Sequence, residues 1–240
     1  MRRSVTGTAL GSSLALCVAL AASSCGIDTI AYLPLLSTSR SNDDVSSMVF
    51  SGPYSDDDEY LGLVVYYRIY ASSSAADVDA SYIAAKQADE DAVPGAAVES
   101  YLASSSYLGY QRLVIDDESS LPSIRKAYLT DEYYITVELP SGGASEPYLS
   151  IIDEATAEPI SVDGEPAVYT IRRAETGSDN GYLTFLDEPA AGDADYKSSS
   201  SDTDEYYYVQ FYAAAYGIDF SDFSNLYGDA VSIGRLRLSM

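Results

Sequence analysis

The sequence predicts a mainly β protein, an antiparallel sandwich with one short helical insertion. Three observations point there. Past residue 45 the apolar residues repeat mostly with a period of two, most cleanly where Tyr133, Ile135, Val137 and Leu139 alternate with Tyr134, Thr136 and Glu138. Turn-forming residues divide these runs at short intervals: Leu121-Pro122, Ser141-Gly142-Gly143, Asp163-Gly164 and Asp179-Asn180-Gly181. Tyrosine, a good strand former, occurs 23 times among 240 residues.

The chain opens on a segment of different character. Arg2 and Arg3 precede an apolar run from Ala9 to Ala22. As a helix that run would reach about 21 Å, short of a hydrocarbon core of roughly 30 Å. A basic start, a brief apolar stretch and small residues after it describe a secretory signal over residues 1–24, not a membrane span. Ala22-Ser23-Ser24-Cys25 then resembles a bacterial lipobox, in which signal peptidase II cuts before the cysteine and lipid is attached to it. The usual Leu three residues before the cysteine is replaced by Ala22, and the nearest Leu is Leu20. Ala22 and Ser24 also satisfy the small-x-small rule of ordinary signal peptidase, and cleavage of the same Ser24–Cys25 bond by that enzyme would give a soluble secreted form instead. Cys17 follows the bulky Leu16 and is not a lipid site. A lone thiol is a liability outside the cell, and acylation of Cys25 accounts for it. The resemblance implies palmitate on Cys25 and attachment to a membrane; Gly26, where Asp would favour the inner membrane, implies the outer one.

Residues 25–44 read as the lipidated N-terminus and a tether, polar from Ser37 to Asp44, with one possible strand from Ala31 to Leu36. The sandwich domain is residues 45–240. Val45–Phe50 is its first strand, closed by Gly52-Pro53. Leu61–Tyr70 follows, with Leu61, Leu63, Val65, Tyr67 and Ile69 on one face and Gly62, Val64, Tyr66, Arg68 and Tyr70 on the other. Both faces are apolar enough for a central strand. Ser74 can then cap a helix running to Asp91, with Asp77 and Asp79 in its first turn and Val78, Tyr82 and Ala85 at helical spacing. Val93-Pro94-Gly95 ends it, and Ala96–Ala103 makes a second short helix with Val98, Tyr101 and Leu102 on one side. The helical insertion is thus about 74–103.

Tyr110–Ile115, Ile124–Leu129, Tyr133–Leu139, Tyr148–Asp153, Val168–Arg173 and Tyr182–Leu186 are the next strands. Residues 190–205, rich in Ser, Ala and Asp, read as an acidic exposed loop. Tyr206–Tyr216 is a long strand, and Val231–Leu238 closes the fold. Its apolar phase switches at Gly234, where a bulge would keep both Val231/Ile233 and Leu236/Leu238 inward.

Two parts of this pattern resemble the fibronectin type III family. Tyr207-x-Val209-x-Phe211-x-Ala213, with Leu226-Tyr227-Gly228-Asp229-Ala230-Val231 after a loop, resembles its F strand, FG loop and G strand. Leu61-Gly62-Leu63-Val64-Val65-Tyr66-Tyr67-Arg68 resembles its C strand, with Leu63 where the family has Tyr. The family's early tryptophan is absent. The resemblance implies a fibronectin type III or Ig-like sandwich; the long stretch between the C-like and F-like strands is then either a β-rich insertion or part of two shared sheets, and one composite sandwich with the helical segment on its surface is the favoured form.

Composition narrows the function. The chain has no histidine, which removes the Ser-His-Asp triad, the Cys-His dyad and His-bound zinc or haem. A net charge of −24 excludes a nucleic-acid partner. Cleavage after Ser24 removes two of the 13 basic residues and none of the 37 acidic ones, so the charge moves to −26. Acidic clusters occur at Asp56-Asp57-Asp58-Glu59, Asp77-x-Asp79, Asp193-x-Asp195 and Asp202-x-Asp204-Glu205. None has EF-hand spacing, and their default role is a solvated acidic surface. No catalytic motif and no cofactor site stands out. Tyr206, Tyr208 and Tyr212 lie opposite Tyr207, Val209 and Phe211 on their strand and are a candidate binding surface. Arg172-Arg173 reads as a strand pair balancing nearby acids. The expected protein is a membrane-anchored lipoprotein with a non-catalytic binding, adhesion or envelope-structural role. The alternatives are a module that binds a ligand or carbohydrate through Tyr and carboxylates, and a soluble secreted protein.

Overall fold

The structure, a computed structural model, describes residues 46–88, 98–116, 120–139, 146–173, 181–198 and 204–238. The signal, the Ser24–Cys25 bond, the tether with its Ala31–Leu36 strand, the Val93-Pro94-Gly95 stop and part of the acidic loop lie outside these. In chain order the elements are β1 (Ser47–Phe50), β2 (Tyr60–Tyr70), α1 (Ser73–Gln87), a π-helical turn (Val98–Leu102), β3 (Gln111–Arg112), β4 (Val114–Ile115) and β5 (Ile124–Arg125). A 3-10 turn (Lys126–Tyr128) follows, then β6 (Tyr133–Glu138), β7 (Tyr148–Asp153), β8 (Ser161–Val162), β9 (Glu165–Pro166) and β10 (Val168–Arg172). The chain finishes with β11 (Tyr196–Lys197), β12 (Tyr207–Ile218), β13 (Asn225–Tyr227) and β14 (Val231–Leu238).

The long strands form two sheets. One has the order β1-β6-β7-β10-β4, antiparallel throughout. The other is built on β2 and β12, which pair antiparallel over almost their whole lengths. β14 and β13 extend it beyond β12, while three short strands, β5, β3 and β11, tile the far edge of β2. β11 runs parallel to β2, unlike every other pair described. A small β8–β9 hairpin turns at Asp163-Gly164.

Between the sheets lies the main core. Leu63, Val65, Tyr67 and Ile69 of β2, with Val209, Phe211, Ala213 and Ala215 of β12, meet Met48, Phe50, Ile135, Val137, Leu149, Ile151 and Ile171 of the opposing sheet. The other face of the β2–β12 sheet carries a second core. There Val64, Tyr66, Tyr70, Tyr208, Tyr212, Ala214 and Tyr216 are covered by Ala76 and Ile83 of α1 and by Val98, Tyr101, Leu102, Leu108 and Tyr110. The fold therefore has three layers, and both faces of β2 are dry, as its two apolar faces require.

Several expectations hold in detail. Alternation in β6 holds, with Ile135 and Val137 buried and Tyr134, Thr136 and Glu138 half-buried, and the sheet pairing of β12 with β14 shifts between Phe211 and Tyr212. That irregularity faces Gly234, whose φ of +153° suits glycine, and it leaves Ile233, Leu236 and Leu238 all buried.

Others need correction. The helix starts two residues earlier than Ser74 suggests, because Ser72 is the cap: its Oγ accepts the Ala75 N–H at 3.4 Å. Asp77 and Asp79 are consequently beyond the first turn. Its buried side is Ala76, Asp79 and Ile83, while Val78 is 65% exposed and Tyr82 46%. Small Ala76 lets the helix sit close to the sheet, and Asp79 is accommodated because the buried Tyr70 hydroxyl and the half-buried Lys197 ammonium bind it. The expected strand Tyr110–Ile115 divides at Leu113, so that β3 joins one sheet and β4 the other. Ile124–Leu129 becomes a two-residue strand and a 3-10 turn. Tyr182–Leu186 is no strand; it delivers Phe185 into the core, edge-on to Tyr67 at 5.2 Å. The described part of the acidic loop is held rather than free, since it contains β11 and the buried Asp195.

Candidate ligand-binding cleft

The tyrosines expected to form a surface do not form one. Tyr208 and Tyr212 are buried, and Tyr206 is half-buried beneath the Arg237 guanidinium, 5.1 Å from its ring centre. Alternation along β12 correctly puts the three on the side away from the main core, but α1 and the 98–110 segment cover that side. Tyr212 packs edge-on against Tyr110 at 5.4 Å.

Beneath α1 a polar row replaces a surface. The Tyr70 hydroxyl donates to Asp79 Oδ2 at 2.9 Å and lies 2.9 Å from the Tyr110 hydroxyl, and Lys197 Nζ donates to Asp79 Oδ1 at 2.7 Å. Burial pushes the Tyr70 and Tyr110 phenols well above their ordinary range, as it does Tyr60. Burial, opposed by Arg235 and helped by Asp79, pushes Tyr212 up to about 12. These shifts favour the neutral phenol in the folded chain, so their stabilisation is present below the unfolded tyrosine pKa of 10.0 and is lost as pH rises through the folded values. The urea midpoint should therefore hold steady up to about pH 9 and fall steeply above pH 10. Phenolate absorbance should show a class of tyrosines that ionises only with unfolding. A midpoint unchanged to pH 12 would exclude this.

The acidic clusters are likewise engaged. The Tyr54 hydroxyl donates to Asp56, and Asp57 Oδ1 accepts the Glu59 N–H at 3.0 Å. Asp77 pairs with Arg235 at 2.7 Å, and Asp204 Oδ2 accepts the Ser73 N–H at 3.2 Å. Asp193 and Asp195 both converge on Arg173, and Arg172 pairs with Glu146, so both arginines balance acids as their sequence suggests. Among the described residues no group of three or more acidic or cysteine side chains is placed to hold a metal ion.

One concave site lies at an edge of the sandwich, where β4, β7 and β10 of one sheet face β5 and the 120–123 segment of the other. Its volume is about 210 Å³. The floor is aliphatic: Leu113, Ile124, Leu149 and Ile151 are buried, with Ile115 half-buried beside them. The rim carries Asp116, Ser120, Ser123, Arg125, Tyr128 and Tyr169. The division of the 110–115 run at Leu113 opens this gap, since the chain leaves one sheet for the other there. Asp116, at φ +51°, is clamped to β10: its N–H donates to Thr170 O at 2.9 Å and its Oδ1 accepts the Thr170 N–H at 3.0 Å. Opposite, Ser123 Oγ accepts the Val65 N–H at 3.2 Å, after a cis Leu121–Pro122 bond. Burial raises the Tyr169 pKa, the neighbouring Tyr128 and Asp116 add to this, and Arg125 opposes it. Both rim charges thus act on one phenol.

No spacing in the sequence announces this cleft. Its residues come from three separate stretches, and only the turn at Leu121-Pro122 and the short Ile124 strand marked its border. Comparison of the chain with protein-family models, with curated proteins and with solved structures finds no match.

Proposed function

We propose that this chain is an exported lipoprotein, anchored in the cell envelope through Cys25, whose sandwich binds a small ligand in the edge cleft without transforming it. The observation that carries the binding role is the cleft, a half-open hollow with aliphatic side chains at its floor and polar groups converging at its mouth, the combination that small-molecule sites use. A Tyr- and Asp-bordered hollow favours the ligand-binding reading over adhesion through flat faces. The anchor rests on the basic, apolar and small-residue succession that ends at Cys25, and Gly26 favours the outer membrane. Among the described residues no helix is long and apolar enough to cross a membrane. The sandwich is read as a fibronectin type III-like arrangement. Its support is that β2, β12 and β14 stand side by side, matching the C, F and G strands of that architecture. The helical layer over the outer face of the β2–β12 sheet goes beyond that two-sheet architecture.

Palmitate labelling in a bacterial host tests the anchor. The wild-type chain should take up label and partition with membranes, and Cys25→Ala should do neither. Export and cleavage of an unlabelled wild type would replace this reading by the soluble secreted form.

A further inference from the structure

Cations are scarce here, 13 against 37 acidic residues, and most of the described ones are engaged; Arg68, whose buried Nε has no hydrogen-bond partner among the described residues, lies away from the cleft lining. Arg172, Arg173, Lys197 and Arg235 are ion-paired. Lys126 donates to the Asp57 carbonyl, and Lys86 lies over the Tyr101 ring. Arg125 is exposed on the cleft rim and makes no hydrogen bond or ion pair among the described residues. Across the mouth Asp116 commits Oδ1 to β10 and leaves Oδ2 open, with no ion pair to Arg125.

A ligand bearing one charge would match one of these groups and oppose the other. A neutral one would leave both charges unmatched. A zwitterion meets both, and the aliphatic floor requires an apolar body behind its charged head. The volume of about 210 Å³ corresponds to roughly seven water molecules at about 30 Å³ each, below the range usual for larger ligands. It admits one side chain and its backbone atoms but no oligomer. Resting on the binding role proposed above, we infer that the cleft takes a free hydrophobic α-amino acid, carboxylate toward Arg125, ammonium toward Asp116, and side chain on Leu113, Ile124, Leu149 and Ile151. The hydroxyls of Ser120, Ser123, Tyr128 and Tyr169 supply further donors and acceptors at the mouth.

Calorimetric titration of the full chain in detergent tests this with four probes: leucine, leucinol, isocaproate and isohexanol. Leucine should bind at one site, and leucinol and isocaproate, each lacking one charge, about ten-fold more weakly. Arg125→Gln should erase the advantage of leucine over leucinol while keeping its advantage over isocaproate. Asp116→Asn, which keeps the Thr170 contact and suits a positive φ, should do the reverse. Isohexanol or a singly charged probe binding as tightly as leucine would overturn the amino-acid assignment and leave the binding role standing. Absence of binding by all four would overturn the cleft as a ligand site altogether.

Discussion

Arg173→Met is expected to lower the unfolding free energy by about 3–5 kcal/mol, a fall in melting temperature of roughly 6–20 °C. The guanidinium is fully buried at the end of β10. Nε and Nη2 bind the two oxygens of Asp195, each at 2.9 Å, Nη2 also donates to Asp193 Oδ2 at 2.6 Å, and Nη1 donates to the Asp187 carbonyl at 3.0 Å. Tyr67 donates to the same Asp195 oxygen at 2.7 Å. Burial works against the charge, but the bonds and charge of Asp195, then Asp193, outweigh it and hold the Arg173 pKa above its ordinary value. Methionine fills similar space yet leaves two carboxylates, one of them buried, with no cation. Removing one partner of such a pair costs far more than the pair contributes net.

The effect should be local as well as global. Asp195 also presents its carbonyl to the Ile69 N–H at 2.8 Å, and the segment it anchors carries Phe185 against Tyr67. Hydrogen exchange in the variant should rise first in β11 and the 183–195 segment. Asp195→Asn in the same chain should recover part of the loss, since it removes the uncompensated charge. A change below about 1 kcal/mol for Arg173→Met would mean that water reaches this cluster.

These two arginine contacts illustrate how far the sequence could be read. Alternation is a local property, so β2, β6, β7 and β12 were legible, and so was the bulge at Gly234, where the phase of Val231 and Ile233 gives way to that of Leu236 and Leu238. Which layer covers an outer face is not local. Tyr208 and Tyr212 sit where their alternation puts them, yet their exposure depended on where α1 came to rest. The helical stripe read from the sequence is Val78, Tyr82 and Ala85, but the helix turns Ala76, Asp79 and Ile83 inward, where Tyr70 and Lys197 bind Asp79. The same reasoning covers Asp193 and Asp195, which read as solvated loop acids until the fold brings Arg173 to them. The cleft was the least legible feature, because it exists only where two sheets part at Leu113.

Gly62→Ala should cost about 3–5 kcal/mol. Gly62 has φ +149°, a conformation that L side chains rarely adopt, and an added Cβ would lie 2.0 Å from the Ile124 carbonyl oxygen and 3.0 Å from Pro122 Cγ. The first neighbour is backbone and cannot swing aside. It belongs to β5, which pairs with β2 here through Gly62 opposite Arg125 and Leu63 opposite Ile124. Relief must come by pushing β5 off the sheet edge, and β5 is one wall of the cleft. The variant should therefore lose leucine binding by more than its fraction unfolded explains, whereas Gly181→Ala, with open space around its Cβ, should change stability by no more than about 0.5 kcal/mol. Urea unfolding and titration on the same samples separate the two effects. If Gly62→Ala were as stable as wild type, β5 would be free to move, and the cleft wall it forms could not hold Arg125 in place for a ligand.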